Sequence, residues 1–401
     1  MRVLAIEPYF GGSHRAFLEG WAQRSRHAFV LRHLPAHHWK WRMRLGAAEL
    51  TESIVTQPFD ETSDGQPASF DAVWTSSMLD VGLWRGLAPP AIAALPHVLY
   101  FHENQFAYPA SPAAPGGGAD PRDLHFGLTN FTAALATLAS GPNPWTPGRA
   151  PRLWWNSAYN RDTFTVGVGD LLGKTPAGRS GHAFTHWLPR VAQASCVQPP
   201  GVEPLPSPRR KRFGRPPHLL WAARWEHDKQ PEVFFRALHR LEKRGVDFRI
   251  SVLGESFQLV PAVFEQAQQH FGPRILRWGF QAERAAYAKA LSQADVFVST
   301  AAHEFFGLAA VEAAAAGCTL VLPDALAYPE VFGPSAAYYP PSPERDPARR
   351  TLATAEALAD TLAELLASGQ PRYAGVHAQK YAWDRRVREL DDALEAVATH
   401  R

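Results

Sequence analysis

The stretch "STAAHEFFGLAAVEAAAAG" (299–317) holds two glutamates, Glu304 and Glu312, eight positions apart with a glycine between them. An apolar strand ends at Ser299, Glu304 falls in the loop after it, and a helix is predicted from near Phe306, with Glu312 one to two turns inside. Backbone N–H groups around Phe306, Gly307 and Leu308 would then lie at the positive end of the helix dipole, which suits a diphosphate. Gly307 permits close backbone approach, and the alanine run lets the helix pack tightly on its sheet. Glutamates repel phosphate, so this pair is better suited to accept hydrogen bonds from hydroxyl groups, those of a sugar on one side and a ribose on the other. The plain alternative is an alanine-rich helix with two solvated glutamates.

Two further stretches carry chemistry. In "LLWAARWEHDKQP" (219–231) a buried strand ends at Ala223, and Arg224 and Lys229 project from the loop that follows. Two cations at a strand's carboxyl end would neutralise a leaving diphosphate, although an Arg and a Lys at this spacing are more often surface charge. "PAHHWKWRMR" (35–44) packs Trp39, Lys40, Trp41, Arg42 and Arg44 together. It is either a helix start whose tryptophans dip into a core or a face for nucleic acid, with cations on phosphates and rings on bases. The spacing of Trp39 and Trp41 is unlike a helical apolar stripe, and alternation allows only one face to be buried.

These residues need elements to hold them. Strand-like runs alternate with helical ones from the start: "RVLAIE" (2–7), the turn "FGGSH" (10–14) and a helix from about Arg15, then "AFVLRHL", "AVWTSS", "HVLYFHE", the helical "DLHFGLTNFTAALATLA" (123–139) and "RLWWNS". Such alternation implies a parallel sheet wrapped by helices. Proline- and glycine-rich loops interrupt it at 108–121 and 140–151, and "PPGVEPLPSPRRKRFGRPP" (199–217) has the composition of a linker, after which the alternation restarts. The fold class predicted is α/β, with two doubly wound units facing across a cleft: an N-terminal domain over 1–200, a linker over 201–217, a second domain over 218–382 and a C-terminal helix over 383–401 that packs back towards the first.

Composition agrees. A chain of 401 residues is too long for one ordinary core. With 46% hydrophobic and 20% charged residues it is globular, and a net charge of +3 leaves only local basic patches for a nucleic acid. Two cysteines, Cys196 and Cys318, exclude a disulfide or cysteine-metal scaffold and suit a reducing compartment. Neither a signal peptide nor an apolar run long enough to cross a membrane is read, so the expectation is a cytoplasmic protein that meets no membrane.

The glutamate pair and the Arg–Lys pair together resemble the nucleotide-sugar domain of the retaining GT-B glycosyltransferases of the family 4 type. The resemblance implies that Arg224, Lys229, Glu304 and Glu312 bind the donor with Phe306, Gly307 and Leu308, Glu304 holding the transferred sugar and Glu312 the ribose. It implies that Gly11, Gly12 and Ser13 meet the donor phosphates, and that His102 sits near the sugar as a catalytic residue beside Arg224, Lys229 and Glu304. The pieces "EPYFGGSH", "HWKWRMR", "LYFHENQFAYP", "HFGLTN" and "WWNSAYNRDTF" resemble, more narrowly, the tRNA-queuosine α-mannosyltransferase family. That implies a mannosyltransferase moving mannose from GDP-mannose to the cyclopentenediol of queuosine, at the wobble position of a tRNA of the aspartate type. His14, Glu103, Asn104, Gln105, Asn130 and Asn156 would then bind the acceptor, though the asparagines could equally cap strand ends. The loop after Tyr108 is longer than the family leads one to expect. Trp39, Lys40, Trp41, Arg42 and Arg44 would contact tRNA.

In this fold retention is attributed to same-face attack, the leaving phosphate oxygen taking the acceptor's proton, so positioning and charge stabilisation suffice. Arg224 and Lys229 stand in for the metal other glycosyltransferases use, and neither metal nor cofactor is expected. Mannose and guanosine rest on the resemblance alone, so UDP-galactose remains open as donor. The competing readings are a polysaccharide or glycolipid glycosyltransferase, a sugar-nucleotide epimerase and an inactive RNA-binding module.

Overall fold

The computed structural model describes residues 1–57, 59, 69–108, 124–140, 149–173, 186–203, 213, 215–255 and 260–399. Most of the proline- and glycine-rich loops, and most of the stretch read as a linker, lie outside the described residues. The chain divides into two compact units, Met1–Gly201 with Trp383–Arg401, and Val202–Ala382.

The first unit is built on strands β1 (Arg2–Phe10), β2 (Ala28–Pro35), β3 (Ala72–Ser76), β4 (His97–Phe101), β5 (Leu153–Trp155) and β6 (Ser195–Val197). Helices α1 (Gly12–Ala22), α2 (Trp39–Thr56), α3 (Val81–Leu87), α4 (Pro90–Ala93), α5 (Leu124–Leu138), α6 (Ala158–Gly173) and α7 (Trp187–Gln193) connect them. Every pairing is parallel, in the order β2-β1-β3-β4-β5-β6. β1 reads as a continuous apolar run because both its faces are covered: Leu4 and Ile6 enter one core layer with Leu50, Val73, Leu99 and Trp155, and Val3 and Ala5 enter the other with Phe17, Trp21, Trp74 and Tyr100.

The second unit repeats the plan with β7 (His218–Ala222), β8 (Arg249–Leu253), β9 (Ile275–Gly279), β10 (Val296–Val298), β11 (Thr319–Pro323) and β12 (Ala337–Tyr339), again parallel, in the order β12-β11-β10-β7-β8-β9. Its helices are α8 (Pro231–Lys243), α9 (Val263–Phe271), α10 (Arg284–Gln293), α11 (Leu308–Ala315), α12 (Tyr328–Phe332), α13 (Pro347–Ser368) and α14 (Gly375–Gln379). In each sheet the strand order reverses at one place, between β1 and β3 and between β7 and β10. Loops leaving the carboxyl ends of those strands diverge, and ligands of open α/β sheets bind in the resulting crevice.

The last helix, α15 (Trp383–Thr399), belongs to the first unit, where Trp383, Leu390, Leu394 and Val397 fill the Trp21 layer. Its polar anchor is Asp391, only 2% exposed. One carboxylate oxygen accepts from Trp21 Nε1 at 2.7 Å and Ser25 Oγ at 2.6 Å, the other from the Arg26 N–H at 3.0 Å. Removing it strands three donors, so Asp391→Ala should cost roughly 2–3 kcal/mol, read as a lower urea midpoint for the first unit. Among the described residues no helix is long and apolar enough to cross a membrane.

Candidate active site

In the second unit the expected donor residues gather at the β7/β10 reversal. Lys229 ends a short turn after β7, and Glu304 lies in the loop after β10. The loops are stitched together: Thr300 Oγ1 donates to the Lys229 carbonyl at 2.7 Å, and the Ala302 N–H donates to the Asp228 carbonyl at 2.8 Å. The buried Lys229 ammonium donates to the His303 carbonyl at 2.7 Å and lies 3.5 Å from Glu304 and 3.3 Å from Asp228. Burial alone would lower its pKa, but Glu304 and Asp228 outweigh burial and raise it, so the amine stays charged. The His303 imidazole, by contrast, is pushed down to about 4 by burial and by Lys229.

Helix α11 starts at Leu308, two residues later than the sequence predicts, because Gly307 caps it in a left-handed conformation at φ +90°. A side chain there would clash, since its Cβ would lie 2.7 Å from the Tyr328 ring. The Gly307 N–H donates to Glu304 Oε1 at 3.2 Å, so the carboxylate itself holds one of the N–H groups expected to meet phosphate. Phe306 is buried against Tyr381 and is part of the packing, whereas Leu308 opens the helix.

Arg224 and Lys229 do not share one hollow. Lys229, Glu304, Gly307, Ser299 and Tyr328 line a small, partly open space of about 20 Å³, room for about one water. Arg224, ion-paired with Glu226 at 3.2 Å, lines an open pocket of about 360 Å³ with Gly254, Glu255, Phe280, Arg284 and Tyr287. The two hollows adjoin, sharing Ala222, Ala223 and Ala309. Glu312, expected free for a ribose, accepts from Arg284 on α10 at 2.6 Å. The Tyr287 hydroxyl also bonds Glu312, and burial, followed by that carboxylate, raises its pKa well above the usual value. Arg284 and Tyr287 were missed in the sequence. Their signal is a helix that opens "ERAAY" just upstream of the glutamate motif.

In the first unit the β1/β3 reversal holds Glu7, also missed, whose signal is a lone charge closing an apolar strand. It is fully buried. Oε1 accepts from the Tyr9 N–H and from Ser76 Oγ, both at 2.9 Å, and Oε2 accepts from His14 Nδ1 at 3.1 Å. Gly11, Gly12 and Ser13 form the turn and first residues of α1 just before His14, with Gly12 at φ +51°. The His14 ring lies on His102, centroids 4.0 Å apart and planes 32° apart. Burial and then His14 hold the His102 imidazole well below its usual pKa, and its buried Nε2 has no hydrogen-bond partner.

Glu7, His14 and His102 bring ligand-type atoms within 4.8 Å of one another. In the other such group, near the surface, His270 Nε2 lies 2.7 Å from Glu242.

The asparagines expected to bind the acceptor hold the loop after β4 instead. Asn104 donates to the Asn160 carbonyl, Asn160 Oδ1 and Thr163 Oγ1. Asn130 donates to the Ser77 carbonyl and accepts from the Gln105 N–H. Asn156 donates to the His102 carbonyl at 2.6 Å and accepts from Asn160. All three are buried, with their polar atoms spent on backbone and neighbouring amides, which fixes where His102 sits. Gln105 donates to Glu103, the one half-exposed member of the set.

Residues 2–202 match the family described as tRNA-queuosine alpha-mannosyltransferase N-terminal, and residues 216–368 match the glycosyl transferases group 1. A tRNA-queuosine alpha-mannosyltransferase of Drosophila melanogaster is 32% identical over 342 residues, 82% of this chain and 81% of that one. The chain belongs to the tRNA-queuosine alpha-mannosyltransferase family. It is a glycosyltransferase. A glycogen synthase of Mycobacterium tuberculosis is 26% identical over 56% of this chain and 51% of its own. Among solved structures, sucrose-phosphate synthase of Thermosynechococcus elongatus (TM-score 0.65, 14% identity, 98% of each chain) shares the fold. So does Anabaena HepE in complex with UDP and glucose (TM-score 0.61, 14% identity, 99% of this chain and 100% of that one). Together they make the fold GT-B.

The basic-aromatic stretch of this family member is not an alternating strand. It forms the first turns of α2, and the buried stripe starts at Met43 and runs through Gly46, Ala47 and Leu50 with helical period. Trp39 is half-buried on Phe126, centroids 5.0 Å apart, in a small cluster with Tyr9, Met43 and Met78. Trp41 is 67% exposed. Lys40 and Arg44 lie over the Phe126 ring at 5.7 and 4.7 Å. Arg42 departs from expectation: it is tied to Glu49 at 2.8 Å and to the Pro35 carbonyl, which leaves it poorly placed for a phosphate.

Proposed function

We propose that this glycosyltransferase moves mannose from GDP-mannose to the cyclopentenediol of queuosine in a tRNA, with retention of configuration and without a metal ion, in the cytoplasm. The observation that carries the reading is the charged Lys229–Glu304 pair at the β7/β10 reversal, in a chain whose N-terminal half carries the queuosine-family pattern. Lys229 supplies charge to the departing diphosphate, and Arg224 does so from the adjoining pocket. Glu304 accepts hydrogen bonds from sugar hydroxyls, and Glu312 turns from Arg284 to the ribose. The first N–H groups of α11 and the Gly11–Ser13 turn add dipoles. His102 supports the sugar through its unpartnered nitrogen. The start of α2 meets the anticodon loop.

The test is to incubate the protein with GDP-mannose and queuosine-containing tRNA, digest the RNA and weigh the nucleosides. Queuosine heavier by one hexose is the expected product. Transfer from GDP-mannose only to a lipid or simple sugar, or hexosyl-queuosine from UDP-galactose alone, overturns the acceptor or the donor assignment respectively.

A further inference from the structure

We propose that His239, Glu242 and His270 form a binding site for a zinc ion that clips α8 to α9 within the second unit. The site stands apart from the transfer reaction and depends on neither its donor nor its acceptor.

Helical spacing puts two of the three ligands together. His239 and Glu242 stand three positions apart near the end of α8, so their side chains share one face. His270, in the last turn of α9, completes the set. The two imidazoles lie 4.4 Å apart, and the buried Phe271 ring packs against both, at 4.8 Å from His239 and 4.6 Å from His270, which gives the pair an apolar floor. All three side chains remain a third to a half exposed, so an ion reaches them from solvent.

One oxygen joins the group. Glu242 Oε2 lies 2.7 Å from His270 Nε2 and 3.9 Å from His239 Nδ1. The first contact is a hydrogen bond, and the second is too long for one. An ion pair with His270 therefore gives no reason for His239 to aim at the same oxygen. A tetrahedral zinc, with bonds of about 2.0–2.1 Å, holds its ligand atoms roughly 3.3 Å apart. The two observed separations bracket that value, and all three ligand atoms fall within 4.8 Å of one another, so small rotations of solvent-facing side chains close the site. Two imidazoles and a carboxylate suit zinc and not calcium or magnesium, which take oxygen ligands. Water takes the fourth position. The other carboxylate oxygen, Oε1, lies 3.7 Å from Arg274 Nε, and Asp247 holds Arg274 Nη1 at 2.7 Å, which keeps Oε2 turned to the histidines. Arg236 and Lys243 are close enough to act on His239, and their charge keeps the affinity moderate.

The topology separates this site from the donor residues. β7, β8 and β9 are parallel, so α8 and α9, which connect them, run back from the carboxyl edge of the sheet to its amino edge. Their last turns lie at the amino edge, whereas Lys229 and Glu304 follow the carboxyl ends of β7 and β10. An ion here ties together two helices of the unit and takes no step in transfer.

The experiment strips the full chain of metal with EDTA, dialyses it and titrates it with zinc chloride by calorimetry, beside His239→Asn, His270→Asn and Glu242→Gln. The native chain should take up one zinc with a Kd on the order of 1 µM, weaker than closed four-ligand sites. Loss of either histidine should weaken uptake by about 10²-fold, the upper end of what even outer partners of a metal cost. Zinc at about 100 times its Kd should raise a melting transition of the native chain by roughly 5–10 °C and leave both histidine variants unchanged. Circular dichroism of the metal-free variants reports their folding, and Glu242→Gln, which keeps the shape of the side chain, should lose affinity as well. Native zinc affinity in both histidine variants overturns the proposal, as does uptake that His102→Asn abolishes instead, or no uptake at 100 times the expected Kd. These readouts are binding and melting, so a failure of hexosyl-queuosine to form would overturn the transfer reading and leave the zinc site standing.

Discussion

Lys229→Met should lower kcat/KM for hexosyl-queuosine formation by roughly 10²–10³-fold, the scale of losing one preorganised charge from a water-poor site. The ammonium sits at the strand reversal with its carbonyl and carboxylate partners already in place, so no reorganisation is needed when the diphosphate departs. Methionine fills the space and removes the charge, so the loss measures electrostatics and not a cavity. It also leaves Asp228 and Glu304 facing each other without their cation. Stability should therefore fall by roughly 2 kcal/mol, less than the ~3–5 kcal/mol of a fully enclosed pair, because 28% of the Glu304 side chain stays in water. The folded-state pKa of Lys229 is raised above the ordinary 10.5, so this contribution is complete at neutral pH and is lost only as pH rises through the raised value. Lys229→Arg should not rescue catalysis, since a planar guanidinium cannot reproduce the compact charge held between the His303 carbonyl, Asp228 and Glu304. Glu304→Gln separates the functions: it keeps the packing, leaves the diphosphate's cation in place, and should weaken sugar recognition. Kinetics with GDP-mannose and a urea melt of each variant check all of this.

The parts of this site legible in the sequence were those whose chemistry and periodicity coincide on one element. Glu304, Gly307 and Glu312 fall on a single strand–loop–helix unit, so spacing alone put them together. Arg224 and Lys229 were legible as loop cations, but not as lining two hollows, because that depends on how five residues of irregular backbone turn. The pairing of Glu312 with Arg284 crosses 28 positions and two helices, a separation no local pattern encodes. Glu7 looked like the polar end of an ordinary strand; the turn after β1 brings His14 back to it, but only the sheet order makes Ser76 its neighbour. The asparagines that hold the loop after β4 failed in the opposite direction. Polar residues at strand ends suit a ligand or the backbone equally well, and a loop bent over a buried edge needs the backbone bonds first. The Trp-Lys-Trp run misled because two large rings two apart imitate a strand, whereas the helical stripe starts only at Met43, after both of them.

That correction reshapes the RNA-binding prediction. Combined replacement of Lys40, Trp41 and Arg44 by alanine should weaken tRNA binding by roughly 10²-fold while GDP-mannose affinity stays native. On a helix these three are not equivalent to Arg42, whose guanidinium is held by Glu49 and the Pro35 carbonyl. Trp41 projects outward and can stack on an unpaired base, an interaction worth about 1–3 kcal/mol. Lys40 and Arg44, over the Phe126 ring, add cations for phosphates on a surface that aromatic packing keeps in shape. Removing one cation from a phosphate lowers the slope of log affinity against log salt by about 0.7–0.9. Replacing the Lys40/Arg44 pair should thus flatten the slope by about 1.4–1.8, and Trp41→Ala should shift the line without changing its slope. Arg42→Ala should do neither. Titrating labelled queuosine tRNA at several potassium chloride concentrations distinguishes the three behaviours. An Arg42→Ala slope reduced as far as that of Arg44→Ala would mean that RNA pulls Arg42 from Glu49, and so that the face extends back over the start of the helix towards Pro35.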